Sequence, residues 1–252
     1  MNEFTEMIVK TGSIVLRTVD YSESSVIATL FTKSQGVVSV IAKGARKPKS
    51  RFAAALVPGQ ILETVYYYKP GRSIQTLSEV SYLHKLDQLR VDVKKMALSV
   101  TALELLTQVL HEQEENGSLF EWLENLLIWI NSSNHVTKKL FPYLQLRITD
   151  QIGIGIQPDP TAESSSTGGY LNIEAGTVSP QPEGAESVRL TESQYSFVID
   201  TLHSRKAGLL QKEFMAGELN SLIEYLDRYI RYHVEGVKPR RSDKIFETIF
   251  AL

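Results

Sequence analysis

Five short runs of β-branched and aromatic residues crowd into the first 80 positions, and they set the strongest limit on the fold. They occupy residues 13–19, 25–32, 37–42, 60–68 and 73–80, with Gly36, Pro58-Gly59 and Pro70-Gly71 as breaks between them. Between the third and fourth runs lies Phe52-Ala53-Ala54-Ala55-Leu56, which favours a turn or two of helix. Five strands with one helical piece between the third and fourth predict a small five-stranded barrel of the OB type.

After residue 90 the period of the apolar residues changes to that of a helix. Val93, Met96, Ala97, Val100, Leu103, Leu106 and Leu110 share one face of a helix that starts after Asp92. Ser118 and Glu121 form a capping box for a second helix. A third runs over 135–151. Gly153, Gly155, Pro158 and Pro160 then end helical structure. Residues 164–169 and 180–187 read as loops around a short hairpin of residues 170–173 and 177–179. Thr191 with Gln194 caps the next helix. A longer helix over 214–234 carries Leu219, Leu222, Ile223, Leu226 and Ile230 on one face, and a last one covers 242–250. The fold class expected is α+β and multidomain. An OB-fold nucleic-acid-binding domain spans 1–80, and a mostly helical domain spans 81–252 with a loop and hairpin insertion at 153–187.

The chain has 252 residues, 42% of them hydrophobic and 22% charged, which suits a globular protein with a sizeable core. It has no cysteine, so disulfides and thiolate metal sites are excluded. Residues 1–10 carry acids and no long apolar core, so no signal peptide is expected. No apolar run approaches the roughly 20 residues that span a bilayer. The expected location is the cytoplasm, with no membrane partner.

Charge is segregated along the chain. Residues 33–62 contain Lys33, Lys43, Arg46, Lys47, Lys49 and Arg51 and no acid, although the formal net charge is −2. Most of these cations lie just after the third strand, a localised patch that suits a polyanion backbone. Arg17 and Arg72 are weaker candidates for the same contact. Phe52, Tyr66 and Tyr68 could stack on bases, although Tyr66 and Tyr68 point one way along a strand and Tyr67 the other, so at least one belongs to the core. Residues 151–204 reverse the sign, with seven acids against Arg189. Arg228, Arg231, Arg240 and Arg241 form either a solvated helix end or a further binding contribution.

Catalytic motifs are absent. Gly44-Ala45-Arg46-Lys47-Pro48-Lys49-Ser50 lacks the second glycine of a phosphate-binding loop, and Pro48 removes an amide donor. Gly153-Ile154-Gly155 is followed by Pro158 and not by a helix start. His84, His111, His135, His203 and His233 have no metal-ligand spacing. Trp122 and Trp129, seven apart, read as core. No catalytic or metal residue is assigned, and the chain reads as a non-enzyme.

The string Ile14-Val15-Leu16-Arg17-Thr18-Val19-Asp20-Tyr21-Ser22-Glu23-Ser24, then Leu30-Phe31-Thr32, then residues 42–58 around the basic loop, resembles the RecO family of bacterial DNA-repair proteins. The likeness resumes at Tyr229-Ile230-Arg231-Tyr232-His233 and Arg240-Arg241-Ser242. It implies a recombination mediator that binds single- and double-stranded DNA and anneals complementary strands. It also implies the partners RecR and the C-terminal tail of the single-strand binding protein, loading of RecA, and a nucleoid-associated place in the cytoplasm. Many members carry a four-cysteine zinc site in the region matching 153–187. Without cysteine, no cofactor is expected here, and Tyr170, Leu171, Ile173 and Val178 should hold the insertion by apolar contact. The alternative reading is a protein-interaction module whose basic loop and helical domain bind acidic partner tails, with DNA binding secondary.

Overall fold

The computed structural model describes residues 7–110, 115–160, 167–203 and 212–251; His111 and part of the expected 164–169 loop lie outside these. Five strands come first: β1 (Met7–Asp20), β2 (Val26–Thr32), β3 (Gly36–Ala42), β4 (Ile61–Tyr68) and β5 (Ile74–His84). They close into a barrel in the order β1-β2-β3-β5-β4, as the strand pattern predicts. Closure depends on the length of β1. Its first half, Met7 to Ile14, pairs with β4, and its second, Ser13 to Asp20, pairs with β2. One strand therefore seals two edges. The barrel interior holds Val15, Ala28, Leu30, Val38, Val40, Leu62, Tyr66 and Leu77. Helix α1 (Arg51–Ala55) follows β3 and plugs one end with Ala55 and Leu56.

The opposite faces of these strands are not all wet. Ile14, Phe31 and Ile61 are fully buried outside the barrel interior. They are covered by α2 (Gln88–Val91), α3 (Val93–Val109) and α4 (Gly117–Ser132), with the Phe31 and Phe120 rings 5.7 Å apart. Asp92 caps α3 as expected, its carboxylate accepting from the Lys94 and Lys95 amides at 2.9 and 3.0 Å. Three expectations need correction. The cap of α4 is Asn116, accepting from the Leu119 amide at 2.9 Å, which leaves Glu121 free to reach Lys33. Trp129 is 38% exposed and Trp122 half-buried, because α4 turns Leu119, Phe120, Leu123, Leu127 and Ile130 inward instead. On α3 the buried face is centred on Leu98, Thr101, Leu105 and Leu106, so Val93, Met96 and Val100 are exposed. The C-terminal helix α8 (Asp243–Ala251) joins this unit through Glu104, which accepts from the Arg241 and Ser242 amides and from Ser242 Oγ. The compact unit so formed is 1–136 with 240–252, so α2–α4 and α8 cluster with the barrel.

The second compact unit is 137–239. It contains α5 (Leu140–Gln151), α6 (Glu192–His203) and α7 (Glu218–His233), and α5 starts five residues later than the periodicity predicts. The predicted capping box at Thr191 and Gln194 is present, with Thr191 N donating to Gln194 Oε1 at 2.9 Å. The expected hairpin belongs to a larger sheet: β6 (Gln157–Pro158), β7 (Gly169–Asn172), β8 (Thr177–Ser179) and β9 (Ser187–Leu190), ordered β6-β8-β7-β9. Leu171, Ile173 and Val178 are fully buried, whereas Tyr170 is only half-buried. A polar centre does the rest. The buried Asn172 amide donates to Thr177 Oγ1 and Ser179 Oγ, and its carbonyl accepts from the Glu183 amide and Ser187 Oγ. Gly169 lies under the Tyr195 ring, where an added Cβ would sit 2.1 Å from a ring carbon, so this strand position admits no side chain.

Candidate nucleic-acid interface

The basic loop leaves the end of β3 and is tied down at both ends. Gly44 takes a left-handed φ of +73°, which lets the Lys47 amide return to Gly44 O at 3.1 Å. Lys49 is also left-handed, at φ +64°, and is the one non-glycine residue so placed among those described. Ala45 is buried in the barrel cluster. Arg46 anchors the loop to the β1–β2 turn. Its amide donates to Ser24 O at 3.0 Å, its guanidinium donates to Ser22 O at 2.9 Å, and the same group pairs with Asp20 at 3.3 Å. Arg51 anchors the far end, donating to Ser78 O at 3.0 Å with its guanidinium 5.4 Å from the Phe52 ring centre.

The five cations of the loop therefore divide by role. Arg46 and Arg51 hold backbone carbonyls. Lys43, Lys47 and Lys49 are exposed, and among the described residues their ammonium groups have no hydrogen-bond or ion-pair partner. A fixed backbone carrying three free ammonium groups can neutralise phosphates with little loop ordering.

The other predicted residues divide too. Arg17 is exposed on β1 and donates to Thr29 Oγ1 at 3.2 Å. Arg72 is exposed in the β4–β5 turn, which Gln75 braces by donating to the carbonyls of Lys69 and Arg72. Lys33 is engaged elsewhere: it pairs with Glu121 at 2.9 Å, and that hydrogen bond with the attendant charge attraction raises its pKa. Tyr66 is a correction. It is fully buried inside the barrel, burial pushes its hydroxyl up to about 12, and no base can reach its ring. Phe52 and Tyr68 are half-buried against the same cluster, and Tyr67 is the member of the tyrosine run that faces outward, at 37% exposure. Arg228 is exposed and pairs with Glu186, whereas Arg240 is buried and pairs with Asp243, so Arg240 is structural. The residue missed by pattern reading is Tyr21, 61% exposed in the β1–β2 turn. Its signal was its place two positions on from Val19 and four on from Arg17, the spacing of one strand face.

Residues 7–86 match the family described as Recombination protein O N terminal, and residues 90–243 match Recombination protein O C terminal. The chain belongs to the RecO family. It is 30% identical over 250 residues to the DNA repair protein RecO of Salinibacter ruber, covering 92% of this chain and 96% of that one. It is 36% identical over 252 residues to the RecO of Chlorobium limicola, covering 94% and 96%. The zinc site that the resemblance implies for many members does not fit here. The chain lacks cysteine, and Asn172, at the centre of the corresponding sheet, already has its amide and carbonyl engaged by protein groups. Among the described residues no cluster of three or more His, Asp or Glu could hold a metal, and no helix is long and apolar enough to cross a membrane.

Proposed function

We propose that this RecO-family chain is a non-catalytic DNA-binding recombination mediator. In this reading it anneals complementary single strands and, with RecR, helps to load RecA on single-stranded DNA coated by the single-strand binding protein. The observation that carries the reading is the set of three exposed lysines, Lys43, Lys47 and Lys49, with no partner among the described residues, on a loop anchored at the end of an OB barrel. Annealing needs no acid or base. It needs phosphate charge to be neutralised while base edges stay free to pair. Lysine contacts to phosphate meet that need and carry little sequence preference.

A second observation supports the protein partners. Val91, Val93, Met96 and Val100 are exposed on α2 and α3, with Arg90 and Lys94 exposed among them. An apolar stripe with a basic rim suits the acidic, apolar-ended tail of the single-strand binding protein. The test is a strand-annealing assay with and without the cognate single-strand binding protein. Acceleration of annealing on coated strands is expected. Equal rates with and without the chain would overturn the reading.

A further inference from the structure

Beside the lysine loop stands an aromatic residue that phosphate binding does not require. β1 ends at Asp20, but its ladder with β2 continues for one more step, because the Tyr21 amide donates to Ser25 O at 3.1 Å. Side chains alternate along a strand, so Arg17, Val19 and Tyr21 share one face, and all three are exposed. Tyr21 is 61% exposed, and no hydrogen bond is formed by its hydroxyl among the described residues. An exposed ring at a turn is ordinarily mobile. This one sits on backbone fixed from both sides, since Asp20 and Ser22 each hold the Arg46 guanidinium, at 3.3 and 2.9 Å. The next residues along the chain from Arg46 include Lys47 and Lys49, which are exposed and whose ammonium groups have no partner among the described residues. The backbone on either side of this ring is thus tied by Arg46 to the lysine loop, and Arg17 lies on the same strand face as the ring.

We propose that Tyr21 is a stacking platform for an unpaired base of single-stranded DNA, and that it makes this barrel prefer single strands to duplex. The proposal rests on the DNA-binding reading of the loop. Phosphates are present in both forms of DNA, so the lysines bind both. A base face is available only where the base is unpaired, so the tyrosine rewards the single strand alone. The turn between the first two strands is also a usual oligonucleotide-binding element of OB barrels. The strand ladder and Arg46 have already ordered the platform, so little is lost on binding.

The experiment measures affinity for oligo-dT and for a blunt duplex of equal length, across a salt series, in the full-length chain. Tyr21→Ala is expected to weaken oligo-dT binding by about 5- to 150-fold, the range measured for loss of one stacked base. Duplex affinity should change less than twofold, and the slope of log affinity against log salt should be unchanged, because no phosphate contact is removed. Tyr21→Trp should restore oligo-dT binding, and the extra indole fluorescence it adds over the wild type should be quenched by oligo-dT. Equal losses for both DNAs, or an oligo-dT affinity within twofold of wild type, would overturn the proposal. The Lys47→Ala/Lys49→Ala variant is measured alongside. If it loses affinity while Tyr21→Ala does not, the platform fails and the loop stands. If neither loses affinity, the DNA-binding reading of the loop fails with it.

Discussion

The lysine loop at residues 43–50 and the small sheet β6–β9 are both short, polar and irregular, yet they use their polar groups in opposite ways. In the sheet they are turned inward: the buried Asn172 joins four neighbours. In the loop the anchoring is done by Arg46 and Arg51, and three exposed lysines are left with no partner among the described residues. A polar group satisfied within the protein holds structure together, whereas a charge held rigid and left unpaired is available to a ligand. The same contrast separates Lys33, paired with Glu121, from Lys47, although the sequence presents both as cations in one acid-free stretch.

The comparison can be broken most sharply at Gly169. Gly169→Ala must displace both the Tyr195 ring and the Ser179 carbonyl, so a loss of about 3 kcal/mol is expected in chemical denaturation, with a large fall in the melting temperature of this unit. Asn172→Ala should follow at about 2–3 kcal/mol, because it leaves the buried Ser179 hydroxyl and the Glu183 amide short of partners. If the sheet is structural, both variants should keep a wild-type salt slope for DNA binding.

The loop should behave in reverse. Lys47→Ala/Lys49→Ala is expected to lower DNA affinity and to reduce the magnitude of the salt slope by about 2, one phosphate for each lysine, with folding stability unchanged within about 0.5 kcal/mol. Unchanged affinity would place these lysines with ordinary surface residues.

The smallest effect concerns Glu104. Burial pushes its carboxyl up, but the Ser242 hydroxyl, the Arg241 and Ser242 amides and the Arg240 charge outweigh that and hold it below the ordinary 4.5. The folded value is therefore below the unfolded one. The stabilisation is fully present above the unfolded value and is lost as pH falls through the folded one. Glu104→Gln should loosen α8 by about 1 kcal/mol at neutral pH, after allowance for solvent screening, and the gap from wild type should close in acid. Amide exchange across α8 measures both.

Much of this architecture is written locally. Four of the five strands lie within a few residues of where β-branched runs and glycine or proline breaks put them, whereas β1 starts six residues before its run, at Met7, and Asp92 and Thr191 cap the helices they precede. The misread faces have one cause. The 3.6-residue period identifies a helix but does not fix which of its apolar residues meet a partner. In α3 and α4 the choice is made by Phe31 and its neighbours on the outer barrel wall, so Met96, Val100 and Trp129 remain outside. Tyr66 went the same way. Alternation says that adjacent tyrosines face opposite sides, and only barrel closure says which side is the interior.

The sequence by itself therefore determined the OB barrel, the helical remainder, the RecO family and the position of the basic loop, because periodicity, turn residues and charge density act over a few neighbouring positions. Tertiary structure alone decided which cations are free. Arg46 and Arg51 find carbonyls 24 and 27 residues away, and Lys33 finds Glu121 at a separation of 88. Whether a charge is neutralised depends on what the folded chain brings within about 4 Å of it, and residues that distant in sequence leave no local signature.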